Sequence, residues 1–290
     1  MTAAHCWRRA IVAAWAIAQI GAASAEPAKV EVDSLDQAQG GVVRLPGYWF
    51  PAAGAKPIAP AMLLLHGCSG PYDRSGQLGL RMVEYAALLN AEGVHVLVTD
   101  SFTPRGEREI CTQKTGTRKV TQLNRRRDAL GALQWLAAQP GVDVARLGLL
   151  GWSNGGSNVL AATNSAHAEV RRAPVKPAFA VAFYPGCEDE RRRGYQPVAP
   201  LLMLLGGADD WTPPQPCEAM AVESAVPRPE VVLYPGVYHG FDGTSRLQVL
   251  ANVPNGVNPG QGVHMGGDAS ARVASRTRLL EFVRQMGLGR

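Results

Sequence analysis

Apolar residues in this chain fall into two spacings that alternate along it. Short unbroken runs rich in branched side chains occur at "AMLLLHG" (61–67), "VHVLVTD" (94–100), "LGLLGW" (147–152), "AFAVAFYP" (178–185), "LLMLLGG" (201–207) and "EVVLYPG" (230–236). Runs of that kind, bounded by Gly, Pro or Asp, predict strands buried on both faces. Two earlier segments, "AKVEVD" and "GVVRLPGYWF", alternate more and predict an antiparallel start to the same sheet. Helical repeats lie between the runs. "QLNRRRDALGALQWLAAQ" (122–139) sets Leu123, Leu130, Leu133 and Ala137 on one face and stops at Pro140-Gly141. The stretch 269–286 sets Val273, Leu280 and Val283 along one face, with Leu279, Phe282 and Met286 beside it.

Strands buried on both faces and alternating with helices predict the α/β class, a mostly parallel central sheet with helices on both sides. Sites in such sheets lie beyond the carboxyl ends of the strands. The residues after the six runs are Cys68-Ser69-Gly70, Ser101-Phe102, Ser153-Asn154-Gly155, Gly186-Cys187, Asp209-Asp210 and His239. That set holds a serine, a carboxylate and a histidine, in that order.

The first 25 residues change the picture of the compartment. Arg8-Arg9 precede the apolar run "AIVAAWAIAQIGAA", and Ala23-Ser24-Ala25 fits a small-x-small cleavage site. That pattern predicts a secretory signal peptide over 1–25 and a single domain over 26–290. The run is short for a membrane anchor, which needs about 20 apolar residues. Periplasmic or secreted localisation follows. Without Arg8 and Arg9, the 29 Lys/Arg fall to 27 against 24 Asp/Glu, a net charge of +3. So mild a charge argues against a nucleic-acid partner. The runs Arg125-Arg126-Arg127 and Arg191-Arg192-Arg193 read as solvated faces, as does Glu188-Asp189-Glu190. Neither a metal-binding nor a cofactor motif is evident.

Gly151-Trp152-Ser153-Asn154-Gly155 has the spacing of a nucleophile elbow, a serine held on a tight strand-to-helix turn whose flanking glycines leave room for the neighbouring backbone. The plainer reading is a glycine-rich packing corner. A serine hydroxyl needs a base. His239 in "YPGVYHGFD" follows the last strand run and is the favoured base, with His264 in a glycine-rich loop as the fallback. His95 falls inside a strand pattern, His66 shapes a turn, and His167 lies on a polar stretch. The acid that orients the base should fall between Ser and His, and "LLGGADDWTPP" offers Asp209 and Asp210, with Asp209 favoured. Two backbone N–H groups should form an oxyanion hole: Asn154, and Cys68 or Ser69 from the loop after "LLLHG".

"LLLHGCSG", "DSFTPRG", "RRRDALGALQWLAAQPGVDVARLGLLGWSNGG", "YPGC", "GGADDWTP" and "YHGFD" together resemble the dienelactone hydrolase family of α/β-hydrolases, from about residue 60 to 243 and weakly to the end. The resemblance implies an eight-stranded α/β-hydrolase sheet and the triad Ser153, Asp209, His239. Two features depart from the family pattern. Named dienelactone hydrolases carry Cys where this chain has Ser153, and they are typically cytosolic. Ester hydrolysis by a serine acyl-enzyme fits both departures, with a small-molecule ester, or a lactone, as substrate. A peptidase on the same fold and a catalytically silent exported binding protein are the competing readings.

Phe102, Tyr184, Trp211 and Phe241 stand next to predicted strand ends, where they line an apolar substrate pocket or pack as ordinary core. Arg105 in "DSFTPRG" meets either an acidic substrate group or, as favoured here, a structural carboxylate. The Gly/Asn/Pro-rich segment 242–268 is long for a loop and starts beside His239, so it is placed to overhang the site. Cys68, Cys111, Cys187 and Cys217 remain after the leader, and an even number in an exported chain predicts disulfides. The expected pairs are Cys68–Cys111 and Cys187–Cys217, each joining loops at the same sheet edge.

Overall fold

The computed structural model describes residues 27–38 and 40–288. The expected leader, 1–25, lies outside the described residues. Eight strands form one sheet: β1 (Ala28–Ala38), β2 (Gly41–Phe50), β3 (Ala59–Leu65), β4 (His95–Thr99), β5 (Val142–Trp152), β6 (Phe179–Phe183), β7 (Leu201–Gly206) and β8 (Glu230–Tyr234). Their order is β1-β2-β4-β3-β5-β6-β7-β8. β1 and β2 pair antiparallel, as do β2 and β4, and every later pairing is parallel.

Alternate residues of the central strands serve opposite layers. Ala61, Leu63 and Leu65 of β3 pack with Ala129, Leu133 and Leu136 of helix α2 (Gln122–Ala137) and with Val159 and Leu160 of helix α3 (Asn154–Thr163). Met62 and Leu64 point to the other face. There they meet Met82, Tyr85 and Leu89 of a helix over Leu80–Ala91, α1 in chain order, and Leu279, Phe282 and Val283 of the last helix, Ala269–Gln285. The unbroken apolar runs thus arise because both faces of these strands are covered.

Two helix faces differ from the expected ones. Leu123 is 41% exposed because it sits in the first turn of α2, past the end of the sheet and at the rim of a cavity. Val273 is 67% exposed, and the last helix turns Ala271, Ser275, Leu279 and Val283 inward instead. The basic run in α2 is not a solvated face either. Arg125 and Arg126 are buried, and Arg127 is half-buried beside Asp36 and Glu169. Helical spacing brings Arg125 and Asp128 onto the face that holds Ala129 and Leu133, where polar partners compensate their burial.

Segment 242–268 is not structureless. It carries the short antiparallel pair β9 (Gln248–Leu250) and β10 (Val263–Met265). Among the described residues no helix is long and apolar enough to cross a membrane.

Candidate active site

Ser153 follows β5 directly and opens α3, with φ 53° and ψ −118°. A non-glycine residue at positive φ is strained and persists where its surroundings over-determine it. Here the Ser153 N–H donates to the Phe183 carbonyl at 2.9 Å, and the Ser157 N–H donates to the Ser153 carbonyl at 2.8 Å. The flanking glycines are needed by contact. A Cβ on Gly155 would overlap the Leu65 carbonyl oxygen of β3, and one on Gly151 would overlap the Gly155 carbonyl. Ser153 lines a cavity of about 960 Å³ at the carboxyl end of the sheet.

His239 and Asp209 are both buried, with Nδ1 2.8 Å from Oδ2. Asp209 Oδ1 accepts the N–H groups of Trp211 and Thr212, each at 2.9 Å. The Thr212 hydroxyl lies 3.0 Å from Oδ2. A carboxylate so held accepts a proton bond from Nδ1, so Nε2 of a neutral His239 keeps its lone pair for a base. The imidazole is wedged between Tyr184, 4.5 Å away between ring centres, and Trp211, at 4.7 Å. Trp211 and Thr212 line the same cavity as Ser153. Ser153 Oγ makes no hydrogen bond among the described residues.

The alternatives for acid and base pair with one another. His264 Nδ1 lies 2.7 Å from Asp210 Oδ2, with both side chains partly exposed. Of the two pairs, Asp209–His239 is the one flanked by cavity residues.

The N–H groups of Cys68 and Asn154 donate to no protein acceptor among the described residues. Cys68 lines the cavity with Asn154, whereas Ser69 is exposed and absent from its lining. Arg125, which the sequence reading left in a solvated run, lies behind both. Its guanidinium donates to the Asn154 side-chain oxygen and, at 2.7 Å, to the His66 carbonyl two residues before Cys68. The Phe102 ring lies 5.2 Å from its carbon. Complete burial pushes the Arg125 pKa down to about 10. His66 is fixed as a neutral tautomer: Nδ1–H donates to the Gly67 carbonyl at 2.8 Å, and Nε2 accepts the Ser101 N–H at 3.2 Å. Burial, and then the Arg125 charge, hold its pKa well below the ordinary value.

Of the expected pocket residues, only Trp211 lines the cavity. Phe102 and Phe241 are fully buried. Phe102 packs under Cys68, and Phe241 packs among Phe183, Tyr184 and Tyr234. Tyr184 is buried at φ 38°, and its hydroxyl turns away from the cavity to donate to Asp242 at 2.5 Å. Asp242 also takes Arg81. These three rings are core and support rather than lining, because the strand ends they follow point their side chains into the layers. Arg105 likewise faces inward and bonds Asp128 at 2.8 Å and Asp36 at 2.9 Å, the structural alternative.

Other cavity residues were hidden in charged stretches. Glu190, placed by sequence in a solvated loop, is buried and holds His167 Nε2 at 3.0 Å and the Asn164 amide at 2.6 Å. Both His167 and Glu190 line the cavity. No local sequence signal pairs them, since 23 positions separate them. The expected disulfides form: Cys68–Cys111 and Cys187–Cys217. The first ties the loop after β3 to the segment carrying Thr115 and Arg118, which walls the cavity. Asn255 of the long segment lines it too and accepts the Thr115 N–H at 2.9 Å. Among the described residues no group of three or more His, Cys, Asp or Glu is placed to hold a metal ion.

A mostly parallel eight-stranded sheet flanked by helices, with a strained serine between strand and helix, defines the α/β-hydrolase fold. The chain belongs to the dienelactone hydrolase family, whose profile matches residues 76–287. An uncharacterized protein of Mycobacterium tuberculosis (strain ATCC 25618 / H37Rv) is 30% identical over 235 residues, 75% of this chain and 77% of its own length. Two solved structures share the fold. A dienelactone hydrolase-like promiscuous phosphotriesterase, P91 from metagenomic libraries, superposes with a TM-score of 0.64 at 20% identity, covering 90% of this chain and 99% of its own. A dienelactone hydrolase from Anabaena variabilis ATCC 29413 gives 0.58 at 19%, covering 90% and 98%. Family and fold together support a hydrolase.

Proposed function

We propose that the chain is an exported serine hydrolase that cleaves carboxylic esters, lactones included, through an acyl-enzyme. The observation that carries this reading is Ser153, held at positive φ on the wall of a cavity flanked by the buried Asp209–His239 pair. In this mechanism His239 Nε2 takes the Ser153 hydroxyl proton as Oγ bonds to the ester carbonyl carbon. The N–H groups of Asn154 and Cys68 stabilise the oxyanion. The intermediate collapses with cleavage of the carbon–oxygen bond, and His239 returns the proton to the leaving alkoxide. Water then attacks the acyl-serine with His239 again as base, releasing the acid and restoring Ser153. Asp209 orients the imidazole throughout and stabilises the imidazolium. The two disulfide pairs are compatible with export, as the reading of 1–25 as a signal peptide requires.

The test is hydrolysis of short-chain aryl esters and a lactone by the wild type and by Ser153→Ala. The wild type should turn esters over, and the variant should lose at least about 10³-fold in kcat. Equal activity of the two proteins would remove the nucleophile assignment. A wild type inert to esters, lactones and a serine-directed phosphonate would favour the binding-protein reading.

A further inference from the structure

The second Asp–His pair sits directly behind the first, and its contacts run to both loops that hold the catalytic pair. Asp210 follows Asp209. Tyr238 precedes His239. His264, from β10, reaches both neighbours: its Nδ1 is 2.7 Å from Asp210 Oδ2, its backbone N–H donates to Asp210 Oδ1 at 2.9 Å, and its ring stacks on Tyr238 at 4.8 Å and 29°. The backbone repeats the arrangement. The Gly266 N–H donates to the His239 carbonyl at 3.0 Å, and the Val257 N–H donates to the Asp210 carbonyl at 2.9 Å. Met265 bridges His239 in parallel register.

From this juxtaposition we propose that His264 is a positioning residue, a clamp that sets the distance between Asp209 and His239 from outside the cavity. The inference rests on the reading of that pair as the catalytic acid and base. The acid loop follows β7 and the base loop follows β8, and on the strand side they are tied by the Ala208 N–H donating to the Val237 carbonyl at 2.9 Å and by Trp211 against His239. The hairpin of β9 and β10 adds a tie from the far side, with His264 touching both loops through one side chain. A catalytic geometry loosened by about 1 Å can cost about 10²-fold in rate. Loss of the clamp should therefore appear in kcat rather than in substrate binding, because His264 is not among the cavity-lining residues.

The experiment compares His264→Ala and His264→Asn with wild type. Val249→Ala, an exposed change on the same hairpin, is the control. With an aryl ester, His264→Ala should lower kcat about 10- to 100-fold with KM within about twofold of wild type. His264→Asn keeps a donor near the Nδ1 position and should recover part of that loss, while Val249→Ala should match wild type. A second readout needs no turnover: the low-field proton resonance of His239 Nδ1, assigned by its disappearance in Asp209→Asn. It should be sharp in wild type and broadened by solvent exchange in His264→Ala. Wild-type kcat and an unchanged resonance in His264→Ala would overturn the clamp, as would equal losses in the Ala and Asn variants. Should the Ala variant not fold, the Asn variant alone decides, by a sharp resonance and a kcat loss smaller than about tenfold. If Ser153→Ala proves as active as wild type, the esterase reading falls, and the resonance still decides whether His264 holds the pair.

Discussion

Asp209 spends Oδ1 on two backbone N–H groups and presents Oδ2 to His239, so the carboxylate works as a fixed acceptor. Asp209→Asn places an amide there instead. An amide can donate to Nδ1 and stabilise the wrong tautomer, which leaves the proton on Nε2. We expect a kcat loss of about 10⁴-fold with little change in melting temperature, read by ester kinetics and thermal unfolding side by side. The order of residues in "GGADDWTPP" narrows the proposed acid to two positions. Which of the two faces inward depends on the turn in which the Trp211 and Thr212 N–H groups meet Asp209, a matter of torsion angles rather than composition. Arg125 was less legible still. A basic run is usually solvated, and nothing in "NRRRD" says that its first arginine is buried against the Asn154 side chain and the His66 carbonyl.

At the scale of elements, the joint between β1, α2 and the loop after β4 is charged rather than apolar. Arg105 bridges Asp128 and Asp36 there, and Ser34 donates to Asp128 at 2.5 Å. Arg105→Ala would leave two buried carboxylates short of their partner, at a cost of about 3–5 kcal/mol measured by chemical denaturation at neutral pH. Burial raises the Asp36 pKa, but hydrogen bonds from Arg105, Asn124 and Arg127 outweigh it and leave the pKa below its ordinary value of 3.8. A carboxyl whose folded pKa is depressed contributes stability that is complete above its unfolded value, about 3.9, and is lost as pH falls through the folded one. Wild type should therefore lose stability below about pH 4, and Arg105→Ala should show a shallower dependence in the same window. The helical repeats misled for two reasons: Leu123 lies in the first turn of α2 at the cavity rim, and the buried face of the last helix runs through Ala271, Ser275 and Leu279, so it passes Val273 by.

Across the whole molecule, the cavity is closed by segments distant in sequence. Disulfide Cys68–Cys111 holds one wall, Cys187–Cys217 another, and Asn255 joins the 242–268 segment to Thr115. Reducing both bridges should lower stability by about 2–4 kcal/mol for each. The measurement is denaturant unfolding with and without a thiol reductant. Removing only the first bridge, as the double change Cys68→Ala and Cys111→Ala, should lower kcat more than removing the second, because Cys68 supplies one N–H of the proposed oxyanion hole. Unchanged unfolding under reductant would mean that the cysteines are unpaired thiols.

The sequence alone determined the parallel core of the sheet and the tight turn at Ser153. Unbroken apolar runs predict strands covered on both faces. That holds for the runs in β3 to β7 but not for β8, an edge strand with Leu233 40% exposed. Gly-x-Ser-x-Gly after such a run turns tightly into a helix only if its neighbours approach as backbone. Those are local constraints, written in consecutive residues. Tertiary structure decided what local spacing cannot carry: that Tyr184 supports His239 instead of lining the cavity, that Arg105 turns inward to Asp36 and Asp128, that Glu190 is buried against His167, and that Asp210 and His264 meet 54 positions apart. Each of these is a polar or aromatic side chain whose direction is set by partners brought in from elsewhere in the chain, because a buried charge or hydroxyl goes where the fold supplies its hydrogen bonds.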